Sequence, residues 1–296
     1  MMVTKKNNIH IISSLIMILV VTVTLYPFLN VLAKSLNDAV DTVKGGITVF
    51  PRKPTFKNYT DLFETGSNLG TAFFNSIVRT VLGSFLGTLC CAMFAYPLSR
   101  HDFIARKPFL RILIITMYVS GGLIPSYLLM RNLNLLNSFW VYIIPSLISA
   151  YNIILIRSFM MNIPQALSEA ARIDGANDLT IFFRIILPMC KPVLATVMLF
   201  VAVGHWNDWY STYIYMTRSH RTTLSTLQFE LMKVLDSVSQ SGSTIDIHSE
   251  SLKASTKSPE AIKMAITIVC TVPILAVYPF VQKYFVSGIT LGAVKE

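Results

Sequence analysis

Six long stretches of this chain are almost free of charge, and that feature limits what it can fold into. They run Ile9–Ala33, Ala72–Leu98, Ile112–Met130, Phe139–Ile156, Pro192–Met216 and Met264–Val281, and only Arg79 and Asp208 put a charge inside one. An α-helix rises ~1.5 Å per residue, so ~20 apolar residues cross the ~30 Å of a bilayer core. Composition agrees. The chain is 53% hydrophobic and 14% charged, its mean hydropathy is +0.57, and a soluble domain carries about a quarter charged residues. The expected fold class is all-α, a polytopic membrane protein with six transmembrane helices. Lys5 and Lys6 precede the first stretch, as they would in a signal peptide. Its apolar core is longer than the ~7–15 residues of a signal h-region, and no A-x-A-like site closes it. It reads as an uncleaved first span.

The formal charge of +10 does not argue for nucleic acid. The basic residues flank the spans, where they anchor helix ends and meet anionic lipid, and no basic-aromatic cluster accompanies them. The total basic count is balanced between the two faces. Short loops carry the orientation signal, however. Ser99–Arg111 holds Arg100, Arg106, Lys107 and Arg111, whereas its short counterpart on the other face has only Arg131. Both termini and the 157–191 loop are therefore expected in the cytoplasm. Cys90, Cys91, Cys190 and Cys270 lie in or beside apolar stretches without metal-site spacing, so they read as small buried apolar residues. The chain is expected to form one transmembrane domain over 1–296. Its parts would be a first span and external loop (1–70), a five-helix core (71–288) and a cytoplasmic tail (289–296). The polar loop Thr217–Lys263 is expected to be flexible or only locally ordered, above all over Ser237–Ser258.

Several small or breaking residues interrupt the spans. Gly83 and Gly87 form a G-x-x-x-G, Gly121, Gly122 and Pro125 break the third stretch, Pro145 the fourth, and Pro273 and Pro279 the sixth. G-x-x-x-G allows close helix approach. A break either lines a translocation path or is a simple kink.

The loop between the fourth and fifth stretches reads as a helix, a sharp turn and a second helix. Pro164 suits a first helical position, and Gln165 to Asp174 are mostly good helix formers. Gly175 stands where a positive φ ends a helix, and Asn177 or Asp178 can cap the next. The first helix is too short to span and too short to be stable alone, so it needs something to pack against. Glu169, Ala170 and Ala171 are followed after three residues by Gly175, and after nine more by Ile185, Ile186, Leu187 and Pro188.

That pattern resembles the EAA loop of ABC importer permeases at every position. The resemblance implies that Glu169, Ala170, Ala171, Gly175, Ile185, Leu187 and Pro188 belong to a cytoplasmic coupling helix-turn-helix, whose first helix docks into a cleft of an ATPase subunit. The small Ala170 and Ala171 would let the partner approach, and Glu169 would offer a charge-assisted contact. Pairing of Glu169 with Arg172 is the local alternative. More of the chain is similar to the second membrane subunit of maltose-type carbohydrate importers, and more narrowly to oligosaccharide permeases of Gram-positive bacteria. Trp206-Asn207-Asp208-Trp209, the run Ser258–Ala265 and the tail Gln282–Glu296 carry that likeness. It implies that Gly292, Ala293, Val294 and Lys295 reach toward the ATPases. The implied partners are a second permease subunit, two ATPase subunits, an external solute-binding protein, a sugar substrate and membrane lipid. Neither metal nor cofactor is expected on this subunit; ATP and Mg would sit on the ATPases.

Sugars bind to aromatic faces and hydrogen-bonding side chains, so Trp206, Asn207, Asp208 and Trp209 are candidate path residues. An Asp at a helix centre costs ~2.5–3.5 kcal/mol on insertion scales, which requires Asp208 to face a cavity, a partner or the interface. For Tyr213 and Tyr215 the other reading is the aromatic belt. A proton- or ion-coupled secondary transporter, an ABC permease for a non-sugar solute and an intramembrane enzyme are the competing functions. The five dispersed histidines and the single acidic residue within a span give little support to the first and last of these.

Overall fold

The computed structural model describes residues 2–65, 68–243 and 259–293, with side chains described for all of these except 2–11, 64–65, 237–243, 259, 278 and 280–293. Among the described residues the regular structure is helical, with one isolated bridge between Asn37 and Pro54. The helices are α1 (Met2–Ser35), α2 (Ala39–Val43), α3 (Lys57–Thr65), α4 (Leu69–Ser99), α5 (Arg106–Tyr118) and α6 (Leu123–Asn132). Then come 3₁₀ turns at Phe139–Tyr142 and Ile144–Ser146, and α7 (Ala150–Met160), α8 (Gln165–Ile173) and α9 (Asp178–Ile181). A π-helical turn at Phe182–Ile186 precedes α10 (Leu187–Met189), α11 (Lys191–Asn207), α12 (Tyr210–Tyr215), α13 (Arg221–Leu224), α14 (Leu227–Ser243) and α15 (Pro259–Ala293).

Three helical segments are long and apolar enough to cross a membrane: Ile12–Ser35, Leu69–Ser99 and Glu260–Val277. Three bent pairs bring the number to six if each pair is counted as one span. They are α5 with α6 at 118°, the 3₁₀ turns with α7 at 49°, and Asp178–Met189 with α11 at 82°. The bends follow from local chemistry. Gly122 takes φ +84° and Val119 is extended, so the third span breaks at the glycine pair. Pro145 sits inside the 3₁₀ turn Ile144–Ser146 and opens the fourth. Pro273 and Pro279 behave differently: α15 runs through both, because a span tolerates proline where neighbours re-satisfy the freed backbone. The fifth span is shorter than expected. α11 stops at Asn207 rather than running to Met216, and Asp208 turns extended at φ −81°, ψ 102°.

The chain forms two compact units, Met1–Leu69 with Glu230–Pro273, and Gly70–Phe229 with Ile274–Glu296. In the first, the segment after α1 is organised by buried amides. Asn37 donates to Asp41 Oδ2 and Thr42 Oγ1 at 3.1 Å each and accepts from the Lys53 amide at 2.7 Å. Asn58 donates to the carbonyls of Ser35 at 2.8 Å and Asn37 at 2.7 Å. The expected external loop is thus locally built, as is much of the second one, where α13 and α14 carry helix to Ser243. Residues 244–258, most of the stretch expected to be flexible, lie outside the described residues.

In the second unit, an apolar cluster joins Cys91, Ala92, Ala95 and Leu98 of α4 to Ile153 and Ile156 of α7 and Val193 and Val197 of α11. Phe182 and Ile186 of the π turn fall in the same cluster. Of the four cysteines, Cys91, Cys190 and Cys270 are buried and Cys90 is half-buried. Close approach of α4 and α11 depends on Gly83. A Cβ there would lie 2.7 Å from the Cδ2 and Cε1 of the His205 ring, whereas one on Gly87 would meet nothing nearer than 3.6 Å.

Candidate functional site

The 157–191 loop folds into a short exposed helix between two breaks. Pro164, at ψ 126°, lies just outside α8 as its N-cap rather than at the first helical position. At the other end Gly175 takes φ +82°, a conformation that costs glycine little and other residues more. The amides of Asp174, Gly175 and Ala176 donate to the carbonyls of Ala170, Arg172 and Ala171 at 3.0, 3.0 and 2.9 Å, which closes the helix end. Asn177 then caps α9, accepting from the Thr180 amide at 2.8 Å.

The two alanines of the motif face different ways. Ala170 is exposed, along with Glu169, Leu167 and Ile173, the last being 87% exposed. Ala171 is the one buried residue of α8 and packs into the cluster with Ile181, Phe182 and Ile186. Helical spacing thus sends Ala171 inward and leaves Ala170 open to solvent. Leu187 and Ile185 are half-buried against the same cluster and Pro188 is exposed. Replacing Ala171 with Leu is expected to overpack the cluster at a cost of ~1–3 kcal/mol, while Ala170→Leu should stay within about 0.5 kcal/mol. Thermal unfolding of the detergent-solubilised protein checks this, and equal shifts for the two would refute it.

Arg172 is not held by Glu169. It reaches Asp178 at 3.3 Å and Asp102 at 3.7 Å. Arg100, directly after α4, binds the same two carboxylates: Nη1 meets Asp178 at 2.5 Å, Nε meets Asp102 at 2.9 Å, and Nη2 also pairs with Asp102. Hydrogen bonds from Arg100 hold the Asp102 carboxyl below its ordinary range, and the pairing with Asp102 in turn raises the Arg100 pKa. The sign follows from linkage. A depressed carboxyl pKa stabilises the native arrangement fully above the unfolded value of ~3.9, and that stabilisation fades as pH falls through the native value.

The second candidate region straddles the end of α11. Trp206 is 7% exposed and meets Phe73 edge-on, ring centroids 6.2 Å apart. Asn207 is exposed. Trp209 is half-buried and packs against Tyr210 and Tyr213. Asp208 pairs with Arg79, the charge inside α4, which also donates to the Asp208 carbonyl at 2.9 Å. The Arg79 guanidinium lies 4.5 Å over the Tyr142 ring. Asp208 further accepts from the Ser211 amide at 3.1 Å and the Ser211 hydroxyl at 2.5 Å. Sequence reasoning noted both charges without pairing them. The available signal was that each is the lone charge of its span, and lone intramembrane charges seek one another. It read Arg100 only as a basic residue of a short loop and Asp178 only as a possible cap, and it did not name Asp102. Of the tail residues, Gly292 and Ala293 end the described backbone of α15, while Val294 and Lys295 lie outside the described residues.

Comparison with known proteins places these features. Residues 80–291 match the family described as "Binding-protein-dependent transport system inner membrane component". The chain is 37% identical over 269 residues to the polygalacturonan/rhamnogalacturonan transport system permease protein YtcP of Bacillus subtilis (strain 168), covering 91% of this chain and 92% of that one. It is 34% identical to protein LplC of the same organism, covering 92% and 90%. A crystal structure of a bacterial ABC transporter involved in import of the acidic polysaccharide alginate superposes with TM-score 0.83 at 28% identity, covering 95% of this chain and 98% of that one. With the EAA spacing intact on an exposed helix and the spans in place, the chain belongs to the inner-membrane components of binding-protein-dependent transport systems, the permeases of ABC importers.

Proposed function

We propose that the chain is the translocating subunit of an ATP-driven oligosaccharide importer, with α8 as the element that docks into an ATPase subunit. The observation that carries this is the nine-residue α8, which presents Leu167, Glu169, Ala170 and Ile173 to solvent and ends on a positive-φ glycine. An exposed amphipathic helix with small residues at its centre suits helix-in-groove recognition. The orientation that puts α8 in the cytoplasm also puts both termini there, in agreement with the basic short loop at Ser99–Arg111.

The sugar assignment rests on the relatives, whose names specify carbohydrate transport, and on the aromatic and amide groups at the end of α11. Trp209 and the exposed Asn207 are the side chains of that segment most open to a ligand. A second permease, two ATPases and an external binding protein complete the machine; a periplasmic protein of that kind, bound to an alginate pentasaccharide, accompanies a transporter of the same fold. The chain has no G-x-x-x-x-G-K-[ST] phosphate loop, so ATP, Mg and hydrolysis are assigned to the ATPase subunits.

Co-purification tests the docking. Gly175→Asp forces a side chain onto φ +82° and Glu169→Lys reverses an exposed charge. Each is expected to reduce ATPase subunits recovered with the permease by about tenfold, the equivalent of ~1.4 kcal/mol, with membrane insertion unchanged. Undiminished ATPase recovery in both variants would sink the docking assignment.

A further inference from the structure

We propose that Arg100 is a positioning residue for energy coupling, the link through which movement of α8 is passed into α4. This rests on the docking of α8 proposed above. α8 has little other hold on its surroundings, since Ala171 is its one buried residue. Besides that contact, which enters the apolar cluster shared with α4, it is held by Arg172 at its last turn, which shares Asp178 and Asp102 with Arg100. Arg100 is the residue immediately after α4, so a displacement of α8 reaches the cytoplasmic end of that helix through two carboxylates and one guanidinium.

The geometry favours a rigid link over a loose surface pairing. Exposed pairs contribute little one at a time. Here two arginines and two aspartates form a closed set, and Arg100 meets Asp102 through both Nε and Nη2, the fork geometry that fixes direction as well as distance. Its guanidinium also lies 5.9 Å over the Tyr96 ring, and Tyr96 packs at 5.3 Å against Phe182 in the π turn that follows α9. The side chain of Arg100 is 23% exposed, against 42% for Arg172, 56% for Asp102 and 61% for Asp178. It is the most enclosed member and the one through which both carboxylates connect to α4. From the other side, Arg157 of α7 donates to the Leu98 carbonyl at 2.9 Å, so the end of α4 is tied into the bundle that the link would drive.

The test is hydrogen–deuterium exchange on the assembled permease–ATPase complex, with and without ATP, Mg and vanadate, for the wild type, Arg100→Ala and Asp178→Asn. In the wild type, nucleotide trapping is expected to change protection both in 165–173 and in 93–105. In each variant the response at 165–173 and the ATPase recovery should persist, while the response at 93–105 falls about fivefold or more, the lower end of ordinary coupling strengths. Arg100→Lys should retain part of it. A purely structural role would loosen 93–105 without nucleotide and leave its response to nucleotide in proportion. A wild-type response confined to 165–173, or variants that respond at 93–105 as the wild type does, would overturn the proposal and leave docking intact. No response at 165–173 in the wild type would instead overturn the docking and this inference together.

Discussion

Asp208→Ala is expected to abolish accumulation of folded protein in the membrane. Arg79 is 2% exposed and holds Asp208 through both the carboxylate and the backbone carbonyl. Removing the carboxylate leaves a buried cation whose remaining partners are the Tyr142 ring and one carbonyl. Breaking a buried pair from one side costs ~3–5 kcal/mol, because the surviving charge has nowhere to go. That is a large share of the ~5–15 kcal/mol that holds a typical domain together. Asp208 also accepts from Ser211 where α11 gives way to α12, so the break itself loses its anchor. The measurement is the monodisperse fraction after detergent extraction, followed by size exclusion. The double substitution Arg79→Met with Asp208→Leu removes both charges at similar volume and is expected to recover most of that fraction. Normal accumulation of Asp208→Ala would show that the pair is dispensable. The double variant also separates two roles for Asp208. Folding without transport would give the carboxylate or its partner a direct part in the path; folding with normal transport would make the pair a scaffold alone.

Much of this was legible in the sequence, for physical reasons that differ from element to element. The apolar stretches announce spans because bilayer thickness sets a length that few soluble helices meet. The α8 turn was legible because Gly175 does something other residues do poorly, and a cap at Asn177 or Asp178 was legible from their short polar side chains, the fold using Asn177. The end of the fifth span was not legible. Trp206 to Tyr215 is apolar enough to continue a helix, and what stops it is a salt bridge to a residue 129 positions earlier. Long-range pairing of that kind leaves no mark on local periodicity. The four-charge link at Arg100 was hidden for the same reason, since Arg100 read as one of several basic residues in a short loop. The inward turn of Ala171 was in principle available. Nine residues at ~3.6 per turn must show one side to the protein, but the motif treats its two alanines alike, and neighbouring helix positions lie ~100° apart.

Gly83→Val is expected to separate α4 from α11 and to lower the unfolding temperature more than any comparable change at Gly87. The G-x-x-x-G pair looks symmetrical in sequence and is not so in the fold. At Gly83 an added Cβ would fall 2.7 Å from two carbons of the His205 ring, and at Gly87 the nearest atom is 3.6 Å away. A side chain can relieve such a clash only if its far end is free to swing. His205 is 6% exposed and its Nε2 lies 3.4 Å from the Ser146 hydroxyl, so the ring is enclosed by α4, α11 and the 3₁₀ turn. Overpacking of this kind costs ~1–3 kcal/mol for small additions and more where neither side can yield. Gly83→Ala should therefore be clearly destabilising, Gly83→Val severe, and Gly87→Ala close to neutral. A double-mutant cycle isolates the contact. His205→Ala opens the space that a Cβ at position 83 requires, so Gly83→Ala combined with His205→Ala should be more stable than the sum of the two single effects predicts. Additive losses would mean that the ring can move aside, and that the approach of α4 to α11 is not set at Gly83.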